Sequence, residues 1–351
     1  MKTFGEIIKN ARNMEAKTLS EVFFDLKIDT AIISKIERGE RIATKKQVVD
    51  FISYYNLEEK EVFSAWLSER ILKEYQSEKY ILDAFKVAEE EVKYNAKPIN
   101  FSTSIQDLLA EADELKSRWS AAKPLNKTQL HKMKEFFNVN YTYDSNRIEG
   151  STLTMQETHL VVNEGLTISG KSMREHLEAV NHYEAIDFIE GLVKDKENLT
   201  ERILNEIHYL ILNGIDRRNA GKYRNVPVYI SGSSHKPPQP YLVAKQMEEV
   251  FEYYHTSKTT VHPIILAADM HEKVVTVHPY IDGNGRTSRL VMNLILLQNG
   301  YSIANIKGDD TSRLSYYKAL EMVQTNNTLE PFYELIIKAT IVSLKEHLEL
   351  T

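Results

Sequence analysis

The chain has 351 residues, 42% of them hydrophobic and 27% charged, with a formal net charge of −6. That length allows two or three domains at roughly 100–200 residues each, and the negative balance supplies no global basic field for nucleic acid, so any DNA binding must be local. The absence of cysteine excludes disulfides, zinc–thiolate sites and thiol nucleophiles; it agrees with a reducing, cytoplasmic setting. The first residues, "MKTFGEIIKNARNMEAKTL", mix both charge signs without a long apolar core, so no secretory leader is expected. No run of about 18 apolar residues exists, so no membrane span is expected either.

Glycine (13) and proline (9) are sparse, and helical periodicity dominates, so the fold is expected to be mainly α. At the start, "TLSEVFFDLKIDTAIISKIERGER" (Thr18–Arg41) holds two short amphipathic patterns. Leu19, Val22, Phe23 and Leu26 form one apolar face; Ile28, Ile32, Ile33 and Ile36 form the next. Two short helices across a tight link predict a helix-turn-helix. Residues 4–57 resemble the phage-repressor helix-turn-helix, which implies five helices, with Asp29–Lys35 as recognition helix offering Thr30, Ala31 and Lys35. That family usually carries a small residue at the position of Phe23 and a glycine at that of Lys27. Lys35, Arg38, Arg41, Lys45 and Lys46 supply a local basic patch. Two readings stay open for residues 1–70: a DNA-binding module, or a docking domain of the same fold.

A boundary is expected near Ser68–Lys79, followed by a charged helix from Glu74 to about Ala96 and a loop at Lys97–Ser104. Residues 71–104 thus form a linker, and the acidic run Glu89–Glu91 is a solvated helix face. From Ile105 onward helices follow one another on short connections. One departure is "NVPVYISGSSHKPPQP" (Asn225–Pro240), where Val226, Val228 and Ile230 alternate before Ser-Gly-Ser-Ser, predicting a short β-hairpin. The segment "HPIILAADMHEKVVTV" (His262–Val277) predicts an amphipathic helix with Ile265, Ala268, Val274 and Val275 inward. His271 on that helix is expected to be a packed core histidine, because a metal pair needs a closer spacing than the one to His278.

The densest chemistry lies in "VHPYIDGNGRTSRL" (Val277–Leu290), between that helix and an apolar one downstream. Gly283, Asn284 and Gly285 therefore sit at a helix start, where free N–H groups and the helix dipole favour an anion. Arg286 and Arg289, three apart, suit phosphate oxygens. Asp282 is a hard oxygen ligand suited to Mg²⁺ on a diphosphate. His278 has a side chain whose reference pKa lies near neutrality, and it is the natural general base for a hydroxyl. Walker A and dinucleotide-binding patterns are both absent.

"HPYIDGNGRTSR" resembles the signature of the Fic family, His-x-Phe-x-(Asp/Glu)-Gly-Asn-Gly-Arg-x-x-Arg, with Tyr280 in place of Phe. The resemblance runs from about residue 105 to 344 and includes "AGKYR" (Ala220–Arg224), the hairpin and "SYYKAL" (Ser315–Leu320). It implies an all-helical core with a small β-hairpin flap, and transfer of AMP from ATP to a Ser, Thr or Tyr hydroxyl of a target protein or of the chain itself. In its terms His278 is the base, and Asp282 holds Mg²⁺. The ATP phosphates lie along Gly283, Asn284, Gly285, Arg286, Thr287, Ser288 and Arg289. Ile230, Ser231, Gly232 and Ser233 form a flap that aligns the target segment. Tyr316, Tyr317 and Gln324 line the nucleoside pocket, Gln324 standing where relatives often have Asn.

Ser145, Glu149 and Gly150 in "DSNRIEGSTLT" fit the same family's inhibitory motif, (Ser/Thr)-x-x-x-Glu-(Gly/Asn), on a helix of about residues 126–149. A Glu149 delivered to Arg289 would fill the γ-phosphate position. The resemblance also implies a homodimer. Removal of AMP with Glu149 orienting water, and a DNA-binding regulator whose second domain senses ATP, remain as competing readings.

Overall fold

The computed structural model describes residues 3–86, 101–122, 126–230 and 232–351. The last part of the expected charged helix, Glu89–Glu91, the start of the Lys97–Ser104 loop and flap residue Ser231 lie outside them. The chain divides into two compact units, Met1–Asn100 and Phe101–Thr351. Among the described residues no helix is long and apolar enough to cross a membrane.

Five helices of the first unit lie wholly within its described residues: α1 (Phe4–Met14), α2 (Leu19–Leu26), α3 (Thr30–Glu37), α4 (Lys45–Tyr55) and α5 (Glu59–Tyr75). Thr3, Thr18 and Thr44 open three of them with reciprocal capping boxes to Glu6, Glu21 and Gln47, which satisfies N–H groups that a helix start leaves free. Phe4, Ile8, Ile33, Ile36, Val48, Phe51 and Trp66 make its core. The turn between α2 and α3 passes through Lys27 at φ 57°, a left-handed conformation that favours glycine. After α5 the chain turns at residues 76–80 before becoming helical again at 81, so the single charged helix expected from Glu74 is interrupted.

The second unit contains ten helices among its described residues: α6 (Thr103–Ala122), α7 (Lys127–Ile148), α8 (Met155–Glu164), α9 (Met173–Lys194), α10 (Glu201–Ile211), α11 (Pro240–Ser257), α12 (Pro263–Val277), α13 (Asn284–Gln298), α14 (Asp310–Asn326) and α15 (Glu330–Glu349). The helix pair α12–α13 forms the centre, with α9, α10, α11, α14 and α15 packed around it. α13 is buried from Arg286 to Leu296, as its all-round apolar character predicts. α12 departs from its amphipathic expectation, because it is buried on its polar face too. Its polar residues find partners inside the protein: Asp269 accepts from the hydroxyls of Tyr253 and Tyr333, and Thr276 donates to Glu272 at 2.9 Å. His271 packs in the core as expected, its Nε2 at 3.0 Å from the Tyr316 hydroxyl.

The expected β-hairpin is not seen among the described residues. Among the described residues of 225–240 no strand pairing occurs. Alternation supplies a period, not a partner, and a lone two-stranded ribbon is marginal in water. Pro227, Pro237, Pro238 and Pro240 also remove backbone donors. The segment is held instead by buried Arg224, which donates to the carbonyls of Val226 (3.2 Å), Pro238 (2.7 Å) and His278 (2.8 Å).

α7 is integral to the fold, since Met133, Phe137, Tyr141 and Ile148 belong to the main core. Its C-terminal half is pinned by Asp144, which accepts from the Gly308 N–H (2.9 Å) and the Asn305 side chain (2.7 Å). A Cβ at Gly308 would lie 2.7 Å from the Asp144 carbonyl oxygen and 2.8 Å from Arg147 Cβ. Gly308→Ala is therefore expected to lower stability by about 1–3 kcal/mol in urea unfolding; an unchanged midpoint would mean that the loop yields freely.

Candidate active site

His278 ends α12 in the left-handed conformation (φ 51°, ψ 59°). This turn redirects the chain into the loop before α13. Its Nδ1 lies 3.2 Å from the Val275 carbonyl, which fixes the proton on Nδ1 and leaves Nε2 as the acceptor. Burial pushes its pKa down to about 4, so the ring is neutral at physiological pH.

The loop is locked from within. The Tyr280 N–H donates to Asn284 Oδ1 and Asn284 Nδ2 donates back to the Tyr280 carbonyl, both at 2.9 Å. The Tyr280 ring stacks on His208 at 3.5 Å between centroids, and its hydroxyl donates to Asn205 at 2.8 Å. A tyrosine therefore serves as the loop's apolar anchor because its hydroxyl is satisfied. His208 accepts from the Gly221 N–H on Nδ1 (2.9 Å), so Nε2 carries a proton and donates to the Asp282 carbonyl (2.9 Å).

Gly283 caps α13 at φ 78° with no side-chain cap. Its own N–H is taken by Asp282 Oδ1 at 2.6 Å. The next N–H groups, at the first turn of α13, remain available to an anion.

The two arginines of that helix diverge. Arg286, 2% exposed, lies 3.2 Å from Glu178 and 3.6 Å from Asp282. Arg174 joins Asp282 (2.5 Å) to Glu178 (3.0 Å), closing a ring of four alternating charges. Burial alone would raise the pKa of Asp282. Arg286, the Gly283 N–H and Arg174 together hold it below the ordinary carboxylate range. Arg289, 1% exposed, turns to α7 and donates to Ser145 Oγ (3.1 Å), the Ser145 carbonyl (2.9 Å) and Glu149 Oε1 (2.7 Å). Burial disfavours its charge; Glu149, Tyr316 and Tyr141 together more than offset this, so its pKa is raised.

Residues 198–296, which contain this loop and both arginines, match the Fic/DOC family. The chain's curated relatives include the protein adenylyltransferase Fic of Nematostella vectensis, 32% identical over 248 residues, which are 70% of this chain and 57% of that protein. The protein adenylyltransferase fic-1 of Caenorhabditis elegans is 30% identical over 70% of this chain and 46% of its own length. The chain thus spans about half the length of the curated relatives it matches. Among solved structures, a Fic domain-containing signaling protein from Bacteroides thetaiotaomicron aligns with TM-score 0.63 and 27% identity, over 68% of this chain and 97% of that one. Fic-1 of C. elegans (residues 134–508) shares the fold, with TM-score 0.63 and 24% identity over 98% of each chain.

Two cavities meet at Glu149 in the second unit. The larger, of about 740 Å³, is lined by His278, Gly285, Arg289, Tyr316, Tyr317, Gln324, Ile230, Gly232 and Ser233. The second, more polar one is lined by Asp282, Arg286, Arg174 and Glu178. The single cradle expected from the sequence is therefore divided, with the Glu149 carboxylate on the divide. A Cβ at Gly285 would lie 2.3 Å from Glu149 Oε1, so the glycine is what admits the carboxylate.

Thr287 and Ser288 depart from expectation. Both are fully buried and line neither cavity; Ser288 donates to the Gly285 carbonyl at 3.0 Å. Their place on α13 faces the core, and the two arginines occupy the faces toward Glu178 and α7. Asn284 also turns inward and staples the loop. Ser145 reaches Arg289, and Gly150 follows Glu149 at φ 101°, a conformation open to glycine. Gln324 donates to Thr276 Oγ1 at 3.1 Å, and the Thr276 hydroxyl donates to Glu272. Gln324 thus lines the larger cavity with its amide held by Thr276.

Sequence reading missed Arg174, Glu178, Asn205 and His208 and gave Arg224 no role. Arg174 and Glu178 stand four apart on α9, a spacing that signals a pair but not that its target is Asp282.

Proposed function

We propose that the protein transfers AMP from ATP to a side-chain hydroxyl of a target protein, and possesses in Glu149 its own brake. The observation that carries this reading is His278. Its tautomer is fixed by Val275, its Nε2 has no partner among the described residues, and it lines the cavity that ends on Gly285 and Arg289. The name shared by the curated relatives, protein adenylyltransferase, supports it.

In the reaction, Nε2 of His278 takes the proton of a Ser, Thr or Tyr hydroxyl. The freed oxygen bonds to the α-phosphorus, the bond from that phosphorus to the bridging oxygen breaks, and pyrophosphate leaves. The N–H groups at the start of α13, with Arg286 and Arg289, offset charge on the phosphate oxygens. Positioning and charge neutralisation supply most of the acceleration. Asp282 fits Mg²⁺, because one carboxylate at a polar cavity, completed by phosphate oxygens and water, is a usual donor set for that ion. The cation would neutralise the α- and β-phosphates. Ile230, Gly232 and Ser233 would align the target segment, and Tyr316, Tyr317 and Gln324 would line the nucleoside. Glu149 blocks the reaction by holding Arg289, the partner of the γ-phosphate.

Glu149 and His278 share one cavity, which also suits a second reading: removal of AMP from a modified protein, with Glu149 orienting the water. Incubation with labelled ATP decides the donor chemistry. Label from the α-phosphate on protein is expected; label from the γ-phosphate would mean phosphoryl transfer and end the proposal. Release of AMP from a pre-modified target would favour the second reading.

We read the first unit as a repressor-like helix-turn-helix. Arg38 is engaged by Glu40 (2.7 Å), and Phe23 and Phe24 are 43% and 71% exposed. Both features favour a docking role over DNA. A gel shift on random DNA at stated salt tests this, and sedimentation tests the homodimer.

A further inference from the structure

An α-helix leaves its last four carbonyls without helical partners. In α7 these belong to Ser145, Asn146, Arg147 and Ile148, and all four are satisfied. Asn146 accepts from the Glu149 and Ser151 N–H groups, and Arg147 from the Gly150 N–H, each at 3.0 Å. The other two are held from outside the helix. Arg289 Nη2 donates to the Ser145 carbonyl at 2.9 Å, and the Tyr317 hydroxyl donates to the Ile148 carbonyl at 2.9 Å.

Both outside donors line the large cavity. Arg289 stands at its phosphate end. Tyr317, on α14, remains 39% exposed, with its ring beside Tyr316 (5.4 Å between centroids) and the Arg313 guanidinium (5.5 Å). The hydroxyl reaches Ile148, the residue immediately before Glu149. A rotation of the ring therefore breaks a hydrogen bond at the end of the helix and slackens the backbone that aims the Glu149 carboxylate.

We propose that Tyr317 is a positioning residue for the brake: a second clasp on the end of α7 that couples the pose of Glu149 to the nucleoside end of the cavity. This rests on the reading of Glu149 as an inhibitory residue. The phosphates then compete for Arg289, while the nucleoside displaces Tyr317 from Ile148. Both ends of one substrate thus act on one four-residue helix terminus.

Tyr317→Phe keeps the ring and removes the clasp. In the nucleotide-free chain, amide exchange at Glu149, Gly150 and Ser151 is expected to quicken about fivefold, the weight of one hydrogen bond. Adenosine at millimolar concentration, which carries no phosphate, is expected to quicken the same amides in the natural chain and not in Tyr317→Phe. In transfer assays, the activity ratio between Glu149→Gly and Glu149 chains is expected to narrow about fivefold when Tyr317→Phe is present in both. Any effect of the substitution on nucleoside contact is common to both chains and cancels in the ratio. Unchanged exchange in Tyr317→Phe, no response to adenosine, or an unchanged ratio would each overturn the clasp. If Glu149→Gly transfers no AMP at all, the proposed activity fails, while amide exchange still decides the clasp.

Discussion

Glu149→Gly is expected to raise AMP transfer about 100-fold, with the chain itself or a target protein as acceptor. Glu149 is the carboxylate partner of Arg289, whose side chain is 1% exposed. Removing one member of a buried pair typically costs about 3–5 kcal/mol. Here Ser145 retains part of the hold on Arg289, and the Glu149 side chain is 33% exposed. A shift of about 2.7 kcal/mol, or two factors of ten, is therefore the appropriate scale. The substitution should also leave a stability signature. Without nucleotide, Arg289 would keep only uncharged acceptors, so the melting temperature should fall. ATP supplies a new anion and should restore it. Absence of any gain with every acceptor tried would defeat the brake. A gain without a fall in melting temperature would mean that Glu149 acts other than through Arg289.

The contrast between Glu149 and Arg174 explains what the sequence made legible. The candidate site's loop was readable because its parts are contiguous: a turn, a helix start and two arginines within Val277–Leu290. Glu149 lies 140 residues from Arg289, and no local pattern joins them; only the resemblance of the surrounding motif did. Arg174 lies 108 residues from Asp282 and had no such help. The errors have the same origin. Valine and isoleucine alternation around Val228 gave a strand's period, but pairing depends on a neighbour, and none pairs with it among the described residues. The segment of α12 was expected to be amphipathic, yet Asp269 and Glu272 lie inside the core, satisfied by tyrosines and Thr276. A sequence displays polarity directly, whereas hydrogen bonding to distant segments appears only once the chain is packed.

His278→Ala is expected to lower transfer about 1,000-fold, within the usual contribution of a general base of ~10²–10⁴. Binding of ATP should persist, because in this scheme the phosphates rest on α13 and its arginines. The pH profile gives a sharper test. An unperturbed histidine protonates near 6.5, and loss of base would then begin just below neutrality. In this protein burial pushes the pKa of His278 down to about 4, with Arg224 contributing in the same direction and Glu149 opposing both. Removing Glu149 takes away that opposition and lowers the pKa further. In the Glu149→Gly chain, kcat/KM for ATP should therefore stay level from pH 8 to about 5, with any acid limb near or below 4. Near-ultraviolet circular dichroism at each pH separates loss of base from loss of fold. An acid limb close to 6.5 with the fold intact would show that His278 titrates freely, and the buried neutral base would have to be abandoned.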